Sequence, residues 1–269
     1  MSSKYIALII FLFSLAIFAF FRQQNFQVFN YFVPLADSIL HGHLDIAPTG
    51  AMNELVPYMG RCFVVYPPMP AIAILPFVAI WGLKFNQMWA SILFASGAVS
   101  LFFLLTTKLT KKLWVSLALT TLFGFGTNFF FTSLIGSSWY IAHVFAVFFL
   151  ICALLSAIDK RPFNSGLFFA FAFLSRLPMA LASPILLFFL LSQSKTKLKT
   201  IFWFVLPIAS AIIIFGLYNT LRFGSVTQTG YSLIPGVLQE PWYQEGIFNL
   251  SYIPRQLNAL FLSFPKITL

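Results

Sequence analysis

The sequence is short of charge, and above all of acid: it has six Asp and Glu among 269 residues, and charged residues make up 8% of the chain. Soluble domains carry about 25%, so an ordinary soluble domain is excluded. Two cysteines are present, Cys62 in a polar stretch and Cys152 inside an apolar run. They are not expected to pair, and no redox compartment follows from them. No small-residue cleavage site follows the first apolar run, residues 5–21, which continues into Arg22-Gln23-Gln24. That run therefore reads as an uncleaved first span rather than a removed signal peptide. Internal repeats and low-complexity linkers are also missing, which tells against a transporter built from inverted repeats. His41-x-His43 has no further His or Cys nearby, so no zinc pattern is present.

Apolar residues, in contrast, reach 60%, with 36 Phe. The net charge of +10 is not a nucleic-acid signal, because Lys and Arg stand in short clusters between apolar runs, as in the loops of membrane proteins. The fold class that follows is all-α, a polytopic transmembrane helix bundle formed by a single membrane-embedded domain over residues 1–269. Five runs are long enough to span fully: 5–21, 87–105, 113–131, 139–158 and 201–217. Lys4, the Lys108, Lys111 and Lys112 cluster, Lys160/Arg161 and the Lys195, Lys197 and Lys199 cluster are placed in the cytoplasm. Residues 71–83, interrupted by Pro76, then become a partial or re-entrant insertion. Residues 166–191 become a broken hairpin of two short helices, with Arg176 near the break. The alternative topology has both short pieces spanning fully and one Lys cluster external. Two external segments result, a first loop over 22–70 and a C-terminal segment over 218–269. The loop is expected to carry a short surface helix over 26–40, and residues 247–264 have weak apolar character. Their size suggests function, because loops beyond about 12–15 residues are uncommon otherwise.

The first loop holds Asp37, His41, His43, Asp45, Glu54 and Arg61. Carboxylates beside a bilayer can act as general base toward an acceptor, or hold a divalent cation through oxygen. Arg61 can pair with phosphate. The plainer reading is a solvated loop whose Asp and His only cap turns. Arg176 at membrane depth calls for a cavity, a lipid phosphate or an external carboxylate as partner; the plainer reading is snorkelling. His143, early in its span, is a pocket candidate or simply a satisfied buried histidine. Asn219 and Arg222 are three apart and share a helix face if the helix continues. They form a phosphate cradle or an interfacial anchor, and Gly224 and Gly230 allow turns after them. Asn249-Leu-Ser251 fits a glycosylation acceptor, a pattern frequent by chance.

Four stretches carry a resemblance. They are Leu35-Ala-Asp37-Ser-x-Leu-His41-Gly-x-Leu-Asp45; Tyr66-Pro67-Pro68-x-Pro70 leading to Leu75-Pro76; Leu174-Ser-Arg176-Leu-Pro178; and Tyr218-Asn219-x-x-Arg222-Phe-Gly224-Ser225 with Gly230-Tyr231. In order and spacing the chain resembles the GT-C class of polytopic membrane glycosyltransferases. It is most similar to bacterial proteins with the RgtA/B/C/D-like domain, related to protein O-mannosyltransferases and lipid A aminoarabinose transferases. The resemblance implies transfer of a sugar from a polyprenyl-phosphate donor to a lipid, glycan or protein acceptor on the outer face of a bacterial plasma membrane. It implies an acidic base or metal ligand among Asp37, Asp45 and Glu54. Donor phosphate would be held by Arg61, Arg176, Asn219 and Arg222, and the substrate pocket lined by His41, His143, Tyr66 and Tyr231. A divalent cation is the one cofactor it leaves open. The family's acidic pair after the first span is replaced here by Arg22-Gln-Gln-Asn-Phe-Gln, and family members continue with more spans, so the resemblance also implies a C-terminally truncated module. The competing reading is a non-enzymatic lipid carrier, such as a flippase or a membrane scaffold. Its spans should carry charge, whereas these are nearly charge-free.

Overall fold

The computed structural model describes residues 2–23, 29–48, 54–243, 245–247 and 249–262. The chain is mostly helical, in the order α1 (Ser3–Phe21), α2 (Phe32–Leu40), a β-hairpin of β1 (Leu55–Tyr58) and β2 (Arg61–Val64), then α3 (Met69–Trp81) and α4 (Gln87–Thr110). It continues with α5 (Leu113–Phe125), α6 (Asn128–Ser133), α7 (Ser138–Ile158), α8 (Pro162–Ser175), α9 (Ser183–Ser192), α10 (Lys197–Phe223) and α11 (Ile253–Phe261).

Four helices among the described residues, α1, α4, α7 and α10, are long and apolar enough to cross a membrane. The fifth expected span, 113–131, is not one helix. Gly126 closes α5, its N–H bonding the Leu122 carbonyl at 2.8 Å. Thr127 then starts α6, its hydroxyl accepting from Phe129 N at 3.2 Å. A hydroxyl offering a new N-cap directly after a glycine stops the helix where hydropathy alone would continue it. The stretch expected as a partial insertion, residues 71–83, is covered by the short α3 (Met69–Trp81) and a single 3-10 turn over Gly82–Lys84. The expected surface helix begins only at Phe32. Its apolar face (Phe32, Val33, Leu35, Ala36) is fully buried and packs on α3. Residues 26–28 of it lie outside the described set, as do Asn53 and residues 263–264. Among the described residues within 247–264 the α-helix is α11, which buries no residue.

The β-hairpin is a feature that the sequence did not announce. Met59 and Gly60 both have positive φ, 46° and 74°. That is the two-residue turn whose twist suits a hairpin. Leu55 pairs with Val64 and Tyr58 with Arg61.

α1 and α4 run antiparallel, whereas α4 and α7 run parallel, start beside start and end beside end. Ser100 Oγ on α4 donates to the Ala7 carbonyl on α1 at 2.7 Å, and Arg22 just past α1 lies 5.3 Å from the Trp89 ring near the start of α4. α4 meets α7 through Phe94, whose ring centroid is 4.1 Å from that of Phe145. Ser165 on α8 donates to Ala153 on α7 at 3.0 Å. Gly166 lets α8 approach α10 so closely that a Cβ there would sit 2.1 Å from the Phe204 carbonyl oxygen. Between apolar helices, such small-residue contacts do the work that water-driven burial does elsewhere.

The bundle is polar end to end. At one end Lys108 pairs with Asp159, joining α4 to α7. There Lys160 and Pro162, entering α8, line the same hollow as Gln193 and Ser194, leaving α9, and Lys199, entering α10. The α8–α9 segment therefore starts and finishes at the lysine end, and its break at Arg176 reaches the opposite end. That opposite end carries α2, the hairpin and three carboxylates, Asp37, Asp45 and Glu54.

Candidate functional site

The site is assembled on the β-hairpin and the break after α8. The Tyr31 N–H donates to Ser138 Oγ at 2.8 Å, and Ser138 Oγ donates to the Phe29 carbonyl at 2.9 Å. One serine at the start of α7 thus holds the loop that leads into α2. At the other edge Arg222, 3% exposed, donates from Nη1 to the Val64 carbonyl at 2.6 Å and from Nη2 to Asn219 Oδ1 at 2.9 Å. Asn219 Nδ2 donates on to the Val226 carbonyl at 3.1 Å. The guanidinium also lies 3.8 Å from the Tyr218 ring centroid. Asn219 and Arg222 do share a face, as their spacing predicts, but that face grips the hairpin. Gly224 ends α10 in the left-handed region, φ 72°, where glycine is unstrained.

Fixed from both sides, β2 delivers Tyr66 to Glu54. The Tyr66 hydroxyl donates to the Glu54 carboxylate. Glu54 has φ 64°, a conformation uncommon for a residue with a Cβ and held only where the surroundings impose it. Burial raises its carboxyl above the ordinary range, opposed by the Tyr66 hydrogen bond and by the nearby Arg176 charge. Burial, with Glu54 adding to it, raises the Tyr66 hydroxyl strongly and pushes that of Tyr31 up to about 12. Tyr231 is likewise raised, chiefly by burial, within the electrostatic reach of Arg176 and Glu54. These phenols therefore stay protonated and can donate.

Arg176 terminates α8 in an extended conformation, φ −149°. Its Nη2 lies 2.7 Å from His143 Nε2, and Trp139 Nε1 donates to the same nitrogen at 3.1 Å. An imidazole nitrogen that accepts twice carries no proton, so the ring proton sits on Nδ1. The guanidinium packs 5.5 Å from the Trp139 ring and 5.8 Å from Tyr66. Among the described residues its Nε has no hydrogen-bond partner. Trp139 itself is 51% exposed, leaving an aromatic edge open beside a cation.

The structure thus sorts the expected site residues into separate sets. Glu54, Tyr66, Arg176, His143 and Tyr231 come together. Asp37 is taken by His41, 3.7 Å away on the next turn of α2 and its end. Asp45 and Arg61 face one another at 3.7 Å in an outer hollow with His43 and Cys62. Arg222 and Asn219 stand behind the hairpin. Arg176 bonds His143 and faces Glu54, the external carboxylate, electrostatically rather than by direct contact. Trp139 and Tyr31 were not singled out from sequence, although Trp139 precedes His143 by four residues, one helical turn. Both cysteines are free, as anticipated. Among the described residues no three His, Cys, Asp or Glu side chains gather as a metal set. Glu54 has phenols and a guanidinium around it, which do not fit a divalent cation.

Compared with protein-family models, curated proteins and solved structures, the chain matches none.

Proposed function

We propose that this chain is a multi-pass membrane glycosyltransferase of the GT-C kind, acting at the end of the bundle that carries the carboxylates. The long apolar helices enter the bilayer with the lysine end cytoplasmic. The α8–α9 segment is then a re-entrant hairpin that lifts Arg176 to the outer surface. The observation that carries the reading is Glu54, bonded by Tyr66 and within electrostatic reach of Arg176. A half-buried carboxyl of raised pKa, held in a costly backbone conformation, stands beside a guanidinium with an unused N–H.

The chemistry follows from those two charges. A polyprenyl-phosphate sugar presents its phosphate to Arg176, whose Nε and remaining N–H groups are suited to an oxyanion. Glu54 accepts the proton of an acceptor hydroxyl as that oxygen attacks the anomeric carbon. The bond from that carbon to the phosphate oxygen breaks, and polyprenyl phosphate leaves with its charge on Arg176. Tyr66 keeps the carboxylate aimed, and His143 keeps the guanidinium aimed. The open face of Trp139 offers a stacking surface for the sugar ring.

Replacement of Glu54 by Gln tests this reading. Transfer from a polyprenyl-phosphate sugar, measured with the full chain in vesicles, should fall by about 10²–10⁴. Asp37→Ala and Asp45→Ala should retain most of it, because those carboxylates belong to other pairs. Undiminished transfer in all three variants rejects the proposal.

A further inference from the structure

A second polar hollow lies on the same end of the bundle, away from Glu54. It has a volume of about 300 Å³ and is lined by Arg22, Asn30, Lys84, Asn86, Gln87 and Gly136, among others. No carboxylate lines it, so two cations face it with no acidic counter-charge. Arg22 spends one N–H on the Ala19 carbonyl, 2.5 Å away, and lies over Trp89. Lys84 is exposed.

Gln87 is the telling residue. It is 1% exposed. Its Nε2 donates to the Gly136 carbonyl at 2.5 Å and to Ser138 Oγ at 3.4 Å. Among the described residues its Oε1 has no donor. A buried amide oxygen left without a donor costs free energy comparable to a lost hydrogen bond. The hollow therefore offers two cations for an anion and one acceptor for a hydroxyl or ammonium.

Directly below runs an apolar groove between α1, α3 and α4, with a volume of about 720 Å³. It shares Lys84, Phe85, Asn86 and Trp89 with the polar hollow. Leu12, Leu15, Phe77, Trp81 and Leu93 continue it away from the charges. Phe77, Trp81 and Phe85 stack along one wall, with centroid spacings of 5.2 to 6.3 Å. A cationic head site opening onto an apolar trough is the complement of an anionic amphiphile.

We infer that this place binds one anionic glycerophospholipid. The phosphodiester sits between Arg22 and Lys84, a hydroxyl of the headgroup donates to Gln87 Oε1, and one acyl chain lies in the α1–α3–α4 groove. The site needs the bilayer placement of the helices but not the transferase chemistry. It does not involve Glu54 or Arg176, so loss of one function leaves the other measurable.

Trp89 reports on it directly. A full-length protein keeping Trp89 as its single tryptophan is placed in phosphatidylcholine vesicles that carry dibrominated chains on either phosphatidylglycerol or phosphatidylcholine. Brominated phosphatidylglycerol should quench at about tenfold lower mole fraction than brominated phosphatidylcholine, the scale expected for two cations at a lipid surface. Lys84→Gln, at an exposed position that folding does not need, should remove several-fold of that preference, and Arg22→Gln with Lys84→Gln should abolish it. Millimolar inorganic phosphate should leave the quenching unchanged. Equal quenching by the two lipids in the parent protein overturns the assignment. So does a preference that survives the double replacement, or one that free phosphate removes.

Discussion

The Tyr66 hydroxyl donates to the Glu54 carboxylate and pulls its pKa down, against a burial that raises it. The balance between these two influences sets the pH at which Glu54 becomes a base. Transfer needs the ionised carboxylate, so activity should rise with pH through the Glu54 pKa. Tyr66→Phe removes a lowering influence and leaves burial in place. The acid limb of log kcat/KM should therefore move to higher pH in Tyr66→Phe. A limb that stays in place would show that Glu54 is not the group being titrated.

The same burial has a cost for folding. A carboxyl with a raised folded-state pKa favours the folded chain fully below its unfolded pKa, and that contribution is lost as pH rises through the folded value. At neutral pH Glu54→Gln should consequently raise the thermal midpoint by about 2–4 °C, in line with about 1 kcal/mol for a chain of this size. The gain should vanish below the ordinary carboxylate range. Differential scanning fluorimetry in detergent at pH 7 and pH 4 measures both arms. A variant that is at once less active and more stable separates a functional carboxylate from a structural one.

Arg222 should behave in the opposite way. It is buried, bonded to a backbone carbonyl and to Asn219, and distant from solvent. Arg222→Met removes charge-assisted bonds and leaves the Val64 carbonyl without its partner, a loss of about 2–4 kcal/mol. The thermal midpoint should fall together with activity, and Arg222→Lys should restore only part of either.

Gly166 sets the spacing of α8 and α10. Gly166→Val places two methyl groups against the Phe204 carbonyl and should cost about 1–3 kcal/mol or more. The measured quantity is again the thermal midpoint. By comparison, Lys108→Ala should change it little, by less than about 1 kcal/mol. Its pair with Asp159 is exposed on both sides, and exposed ion pairs contribute weakly.

What the sequence made legible was whatever depends on local pattern. Uninterrupted apolar length located α1, α4, α7 and α10, and the Ser175-Arg176-Leu177-Pro178 break located the turn between α8 and α9. Spacing alone put Asn219 and Arg222 on one face. The end of α5 was not legible, because it turns on a hydroxyl cap after Gly126 that hydropathy does not weigh. The hairpin was hidden too. Its register rests on positive φ at Met59 and Gly60 and on a distant arginine. Three carboxylates in one loop looked equivalent, and only tertiary contacts separate them. His41 claims Asp37 and Arg61 claims Asp45, while Glu54 alone is turned inward to Tyr66 and Arg176.

The hydrogen bond from Arg222 to Val64 spans 158 residues, and this bears on the order of events at the ribosome. Residues 54–66 emerge long before either Arg176 or Arg222 exists. Glu54 gains its cation when Arg176 is made after α8, but the hairpin lacks its Arg222 anchor until α10 is complete. Domains made vectorially settle from the N-terminal side first, but this centre can settle only once α10 has been made. A nascent chain stopped before α10 would carry the acidic loop held at its Ser138 side but not yet at its Arg222 side.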